Sequence, residues 1–218
     1  MLVSVLNFLQ STMAVPTAYG WVHLLSICSV IALTTLLIRF FRNISERHLR
    51  LLLLTVWLLM VVSEIYKQIV FTFSVNEVGE IVRNFQWYAF PFQFCSTPLY
   101  TIPFVVFLPE GKVRDCFISF LCTFSLFGGV AVYCFPGDVF VSMIGINVQT
   151  MLHHGLQIVI GAYLSTRCYK KLNIRYFLGG TGVFACLVTV AMALNLGVHQ
   201  YLVSTLQEEV FNMFFISP

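Results

Sequence analysis

The sequence predicts an all-α membrane helix bundle that crosses the bilayer about six times, with its N-terminus on the outer or lumenal side. Three observations predict it. Of the 218 residues 59% are apolar and 10% charged, against roughly half and a quarter in soluble globular chains. The apolar residues form long, nearly unbroken runs instead of faces at helical or strand period. The basic residues fall into alternate loops, the pattern of a polytopic protein whose lysines and arginines stay cytoplasmic.

A spanning helix needs about 20 apolar residues, and such runs lie at 20–40, 49–73, 87–108, 113–136, 140–166 and 174–198. Residues 1–19 lack a basic n-region and hold only short apolar stretches before Pro16 and Gly20, so no cleavable signal peptide is expected. Arg39, Arg42, Arg47 and Arg50 follow the first span, Lys112 and Arg114 the third, and Arg167, Lys170, Lys171 and Arg175 the fifth. Those three loops are predicted cytoplasmic. Lys67 and Arg83 are the remaining basic residues. From Tyr201 the tail is amphipathic (Gln207, Glu208, Glu209), then apolar, and stops at Phe-Ile-Ser-Pro, as a chain short of a seventh helix would.

No Gly/Ser linker, charge block or low-complexity tract divides the chain, so residues 1–218 are expected to form a single transmembrane domain. Gly128 and Gly129 in the fourth span and Gly179, Gly180 and Gly182 in the sixth predict small faces for close helix approach. The seven cysteines show no CxxC pair, and most read as small apolar residues. His153 and His154 are adjacent instead of i, i+4 and there is no HExxH, so neither a metal nor another cofactor is expected. The net charge of +3 sits in the loops and gives nucleic-acid binding no support.

Ionisable groups inside hydrocarbon cost at least about 2.5 kcal/mol each, so each asks for a partner or a task. In the second span Glu64 and Lys67, three positions apart, can pair on one helix face. The third span carries Gln93 and Cys95 in Phe90-Pro91-Phe92-Gln93-Phe94-Cys95-Ser96-Thr97-Pro98, with Pro103 beyond. That proline density suits a cavity wall, since irregular backbone survives at membrane depth only where protein or water satisfies it. The fifth span holds Asn147, Gln149, Thr150, His153, His154 and Gln157. Gln149, His153 and Gln157 form one helical stripe and Asn147, Thr150 and His154 its neighbour, so the two imidazoles diverge by about 100°. Counting 1.5 Å per residue, Cys95 lies roughly 12 Å, Glu64 roughly 13 Å and His153 roughly 20 Å below the outer surface. These depths permit contact. A thiol beside an imidazole is a nucleophile and its base, oriented by a third polar group for which Asn147, Gln149 and Glu64 are candidates.

Phe-Gln-Phe-Cys-Ser at 92–96, His-His-Gly at 153–155, Asn212, Ser217-Pro218 and Glu64 together resemble the YwaF-like integral membrane family, whose animal branch is the transmembrane protein 164 acyltransferase family. The match in helix order covers most of the chain, although family members generally continue into a further helix. The resemblance implies thiol-dependent acyl transfer between phospholipids, with Cys95 and either His153 or His154 as the catalytic pair. Spacing from the cysteine favours His153 and the following Gly155 favours His154, so both stay. Glu64, Gln93, Asn147, Gln149 and Gln157 are the supporting or substrate-binding candidates. Membrane lipids would be the partners, a phospholipid as acyl donor and a lysophospholipid as acceptor, at the cell membrane or an endomembrane. A lipid hydrolase is the related outcome, and 22 phenylalanines are available to line a lipid cavity. The competing expectation is a small-solute or proton-coupled transporter or binding subunit that uses the polar stripe of the fifth span, with His153 and Glu64 as proton carriers. A transporter loses activity on Glu64→Gln and tolerates Cys95→Ala; an acyltransferase does the reverse.

Overall fold

In hydrocarbon every backbone N–H and C=O must find a partner within its own segment, and a long apolar run does so as a helix. The computed structural model describes residues 1–204 and 211–216, and follows that rule over most of the apolar runs. After a short α1 (Leu2–Leu9) come α2 (Trp21–Phe41) and α3 (Glu46–Val70). A hairpin of β1 (Phe73–Val75) and β2 (Ile81–Arg83) fills the next loop, pairing Phe73 with Arg83. Then follow α4 (Pro98–Phe107), α5 (Lys112–Phe120), α6 (Leu126–Cys134), α7 (Ile144–Arg167) and α8 (Ile174–Ser204). A π-helical stretch, Leu121–Ser125, joins α5 and α6 into one rod. The tail expectations at Gln207, Glu208 and Glu209 and at Ser217 and Pro218 lie outside the described residues.

Among the described residues four helices are long and apolar enough to cross a membrane: α2, α3, the rod Lys112–Cys134, and α8. They match the first, second, fourth and sixth expected spans to within a few residues. The fifth, α7, has 24 residues and therefore length enough, but its polar residues lower its apolarity. Burial explains how it tolerates them. Fifteen of its residues are buried, among them Asn147, Gln149, Thr150, His153, His154 and Gln157, because α7 packs against α2, α3 and α6. Its solvent is protein. Ile160, Tyr163 and Leu164 enter the main apolar cluster with Leu53, Met60, Ile102, Val105 and Phe120.

The third expected span, 87–108, is not one helix. Trp87–Ala89 and Phe94–Ser96 are single 3-10 turns, and only the ten residues of α4 are α-helical. Pro91 and Pro98 lack the N–H a continuous ladder needs, and Pro98 instead sits at the start of α4, where that N–H is dispensable. Side chains hold the irregular stretch: the Tyr100 hydroxyl donates to Pro91 O at 2.5 Å, Gln68 Nε2 to Ala89 O at 2.7 Å, and Trp57 Nε1 to Leu99 O at 2.8 Å.

The three basic loops meet at one end. Arg114, 4% exposed, donates to Val105 O at 2.7 Å and to the Glu46 carboxylate; Arg50 reaches Val106 O and Leu108 O, both at 2.9 Å. Lys171 pairs with Asp115 at 2.8 Å and Arg167 with Arg42 O at 2.9 Å. The glycines divide. A Cβ on Gly129 would lie 2.8 Å from His154 O, and one on Gly180 2.7 Å from Ser119 Oγ, so both permit close helix approach. Gly182 has nothing within 4 Å and, against expectation, serves no such contact.

Candidate functional site

Cys95 sits in the middle of the 3-10 turn Phe94–Ser96, half-buried, where the irregular stretch passes α7. The turn aims its carbonyl at α7. His153 Nε2 donates to that oxygen at 3.1 Å and Gln157 Nε2, one turn further, at 2.6 Å. The i, i+4 spacing on one face makes the pair possible. The imidazole therefore meets the Cys95 backbone.

These bonds fix the tautomers. A carbonyl only accepts, so His153 carries its proton on Nε2 and leaves Nδ1 a bare lone pair. His154 Nδ1 bonds Thr150 O at 2.7 Å, so its proton is on Nδ1 and the lone pair on Nε2. Among the described residues both bare nitrogens are buried and without a partner, as are Glu64 Oε2 and Gln157 Oε1. Buried polar groups are ordinarily satisfied; these four acceptors on α3 and α7 are not. The two rings lie 5.8 Å apart at 70°, as the 100° step between adjacent helix positions requires.

Glu64 and Lys67 pair as their spacing predicts, at 2.8 Å, with Glu64 Oε1 also taking Gln68 Nε2 at 2.8 Å. Gln68 in turn bonds Ala89 O, so the ion pair stands against the stretch that leads into the cysteine turn. Gln93 stands on the other side of the turn: Nε2 donates to Asn212 O at 3.4 Å and Oε1 accepts from Phe214 N at 3.2 Å. It ties the C-terminal segment onto the cysteine strand. Asn195 holds the same segment through Met213 N at 2.7 Å and Met213 O at 3.0 Å.

Cys95, His153, Gln157 and Glu64 thus come together. His154 turns to its own helix, Gln149 is buried without a hydrogen bond to Cys95, and Asn147 is elsewhere. Its amide pairs with Val141 N at 2.9 Å and Val141 O at 2.7 Å, so it anchors the loop entering α7 instead of orienting an imidazole. Ser96 and Gln68 belong to the cluster without having been expected there; Gln68, at i+4 from Glu64, was the more legible of the two. Sequence also gave no weight to His23, which is 0% exposed with Nδ1 accepting from Tyr19 N at 3.0 Å.

Two apolar grooves flank the turn. One, of about 620 Å³, runs between α3 and the strand leading into α4, lined by Trp57, Glu64, Gln68, Pro91, Leu99 and Tyr100 among others. The other, of about 420 Å³, is lined by Phe94, Thr123, Phe124, Phe127, Phe177 and Phe184. Among the described residues no group of three His, Cys, Asp or Glu side chains could hold a metal ion.

A family model described as the TMEM164 family matches residues 18–218. No curated protein and no solved structure matches the chain.

Proposed function

Since the chain belongs to the TMEM164 family of membrane proteins, we propose that it is a multi-pass acyltransferase that moves fatty acyl groups between phospholipids through a thioester on Cys95. The observation that carries this is the pair of hydrogen bonds from His153 and Gln157 to the backbone of Cys95, which sets a buried imidazole against the turn that bears a half-buried thiol. A nucleophile in that setting has bases beside it and little competing water. The same residues support the wider kinship with YwaF-like proteins.

Of the two histidines His153 is in hydrogen-bond contact with residue 95, which favours it as the base. Its Nδ1 takes the thiol proton, the thiolate adds to the ester carbonyl of a phospholipid, and the collapsing intermediate expels a lysophospholipid alkoxide that recovers the proton from the imidazolium. In the second half the imidazole deprotonates the hydroxyl of an acceptor lysophospholipid. That oxygen displaces the thiolate, which is reprotonated. The apolar groove that reaches the turn at Phe94 suits a hydrocarbon chain. With the basic loops cytoplasmic the site would lie in the outer or lumenal half of the membrane, near the depth of an ester linkage.

The test is intact mass of the purified protein after incubation with a diacyl phospholipid. A hydroxylamine-labile acyl adduct on the wild type that is absent from Cys95→Ala supports the thioester. Equal adduct on both, or lipid remodelling that survives Cys95→Ala, refutes it. Loss of function on Glu64→Gln with Cys95→Ala tolerated would favour transport instead.

A further inference from the structure

Resting on that thioester reading, we propose that Lys67 is the oxyanion-stabilising group of the acyl-transfer step. When a thiolate adds to an ester, the carbonyl π pair moves onto oxygen, and a site that excludes water must supply donors for the charge. The side chains around Cys95 are rich in acceptors and poor in free donors. Ser96 carries a single neutral O–H. His153 donates to Cys95 O, His154 to Thr150 O, Thr97 to Phe94 O, and Gln68 uses its amide on Glu64 and Ala89 O. Gln157 and Gln93 each donate to one carbonyl, which leaves each a single neutral N–H.

Lys67 differs in kind. An ammonium has three N–H donors, and among the described residues its hydrogen-bonded partner is Glu64, at 2.8 Å. Its side chain is 16% exposed, on a helix that packs against both α4, which follows the cysteine turn, and α7, which bears the histidines. Its partner Glu64 also takes Gln68 Nε2, which bonds Ala89 O in the irregular stretch that leads into the cysteine turn. A charge-assisted hydrogen bond is roughly twice as strong as a neutral one, so the cation outweighs the spare amide hydrogens as partner for a developing oxyanion. Glu64 keeps the lysine affordable in the membrane at rest and holds it by one N–H, leaving two for the substrate. No proton is transferred: the oxygen accepts from Lys67 while the Cys95 S–C bond forms, then its electron pair returns as the ester C–O bond breaks.

The experiment compares acylation of Cys95 by phospholipid with its alkylation by a haloacetamide, which needs the same thiol but develops no carbonyl oxyanion. Removing Lys67 alone leaves Glu64 as an unpaired buried charge, so the variant used is Lys67→Met with Glu64→Gln, beside Glu64→Gln alone and Lys67→Arg. Acylation is expected to fall about 10²- to 10³-fold in the double variant, with alkylation unchanged, and Glu64→Gln and Lys67→Arg are each expected to retain more acylation than the double variant. Wild-type acylation in the double variant, or a parallel fall of acylation and alkylation, overturns the assignment. If the wild type itself forms no adduct on Cys95, it is the thioester reading that falls.

Discussion

Gln157 donates its amide to the backbone carbonyl of Cys95 at 2.6 Å, beside His153 at 3.1 Å, so α7 grips the cysteine turn by its main chain and leaves the side chain free. Gln157→Leu removes the shorter bond and is expected to lower stability by about 1 kcal/mol and to slow acylation, because the turn loses its closer restraint. Cys95→Ala keeps both bonds and should stay folded while acyl transfer drops to background. Thermal unfolding in detergent, run beside the transfer assay, checks both. A Gln157→Leu protein as stable and as fast as wild type would mean that the bond does not hold the turn.

The approach of α6 to α7 depends on missing methyls at Gly129, Gly155 and Gly161. A Cβ at Gly129 would lie 2.8 Å from His154 O and 3.0 Å from Gln157 Cβ, and the obstructing atoms belong to the helix that carries the site. Gly129→Ala is expected to cost about 1 to 3 kcal/mol and to reduce acylation with it. Gly182→Ala meets nothing within 4 Å and should be neutral or gain up to about 1 kcal/mol from helix propensity. Unfolding midpoints of the two variants decide the matter; equal midpoints would remove the packing argument.

How much of this was legible before the structure depends on what each residue reports. Hydropathy reports the solvent a segment tolerates, and it located α2, α3, the α5–α6 rod and α8 because lipid-facing segments are apolar all round. The stripe Gln149, His153, Gln157 announced that α7 is surrounded by protein, and the i, i+3 spacing announced the Glu64–Lys67 pair. Hydropathy does not report backbone conformation. The apolar run 87–108 looks like a helix although Pro91, Pro98 and Pro103 interrupt its ladder and Tyr100, Gln68 and Trp57 satisfy the carbonyls of Pro91, Ala89 and Leu99. Asn147 shows the other limit: a polar residue on the site-bearing helix that serves a loop, a task set by Val141, six residues away.

Asn195 makes a sharper prediction about the C-terminal segment. It is 3% exposed and both of its amide atoms bond the backbone of Met213, itself 0% exposed. Asn195→Leu leaves a buried N–H and C=O without their partners, each costing about 1 to 3 kcal/mol. Met213 and Phe214 amides should then exchange with deuterium faster while those of α7 keep their protection, since this segment is tied to the cysteine turn through Gln93 and the Phe94–Phe214 ring contact. Unchanged exchange at both amides would show that the packing of Phe211 and Phe214 on the Phe90 and Phe92 rings suffices without the asparagine.

The two histidines can be separated by substitutions that keep one atom each. Gln at 153 can present an amide N–H where Nε2 now donates to Cys95 O, and Asn at 154 can present one where Nδ1 now donates to Thr150 O; neither has a basic nitrogen. His153→Gln should therefore stay folded yet form the Cys95 adduct about 10² to 10⁴ times more slowly, the range of a lost general base. His154→Asn should form the adduct at the wild-type rate, because its lone pair lies on the neighbouring stripe. Single-turnover acylation followed by intact mass measures both. A slow His154→Asn beside a normal His153→Gln would move the base to His154, and the bond from His153 to the Cys95 carbonyl would then be purely positional.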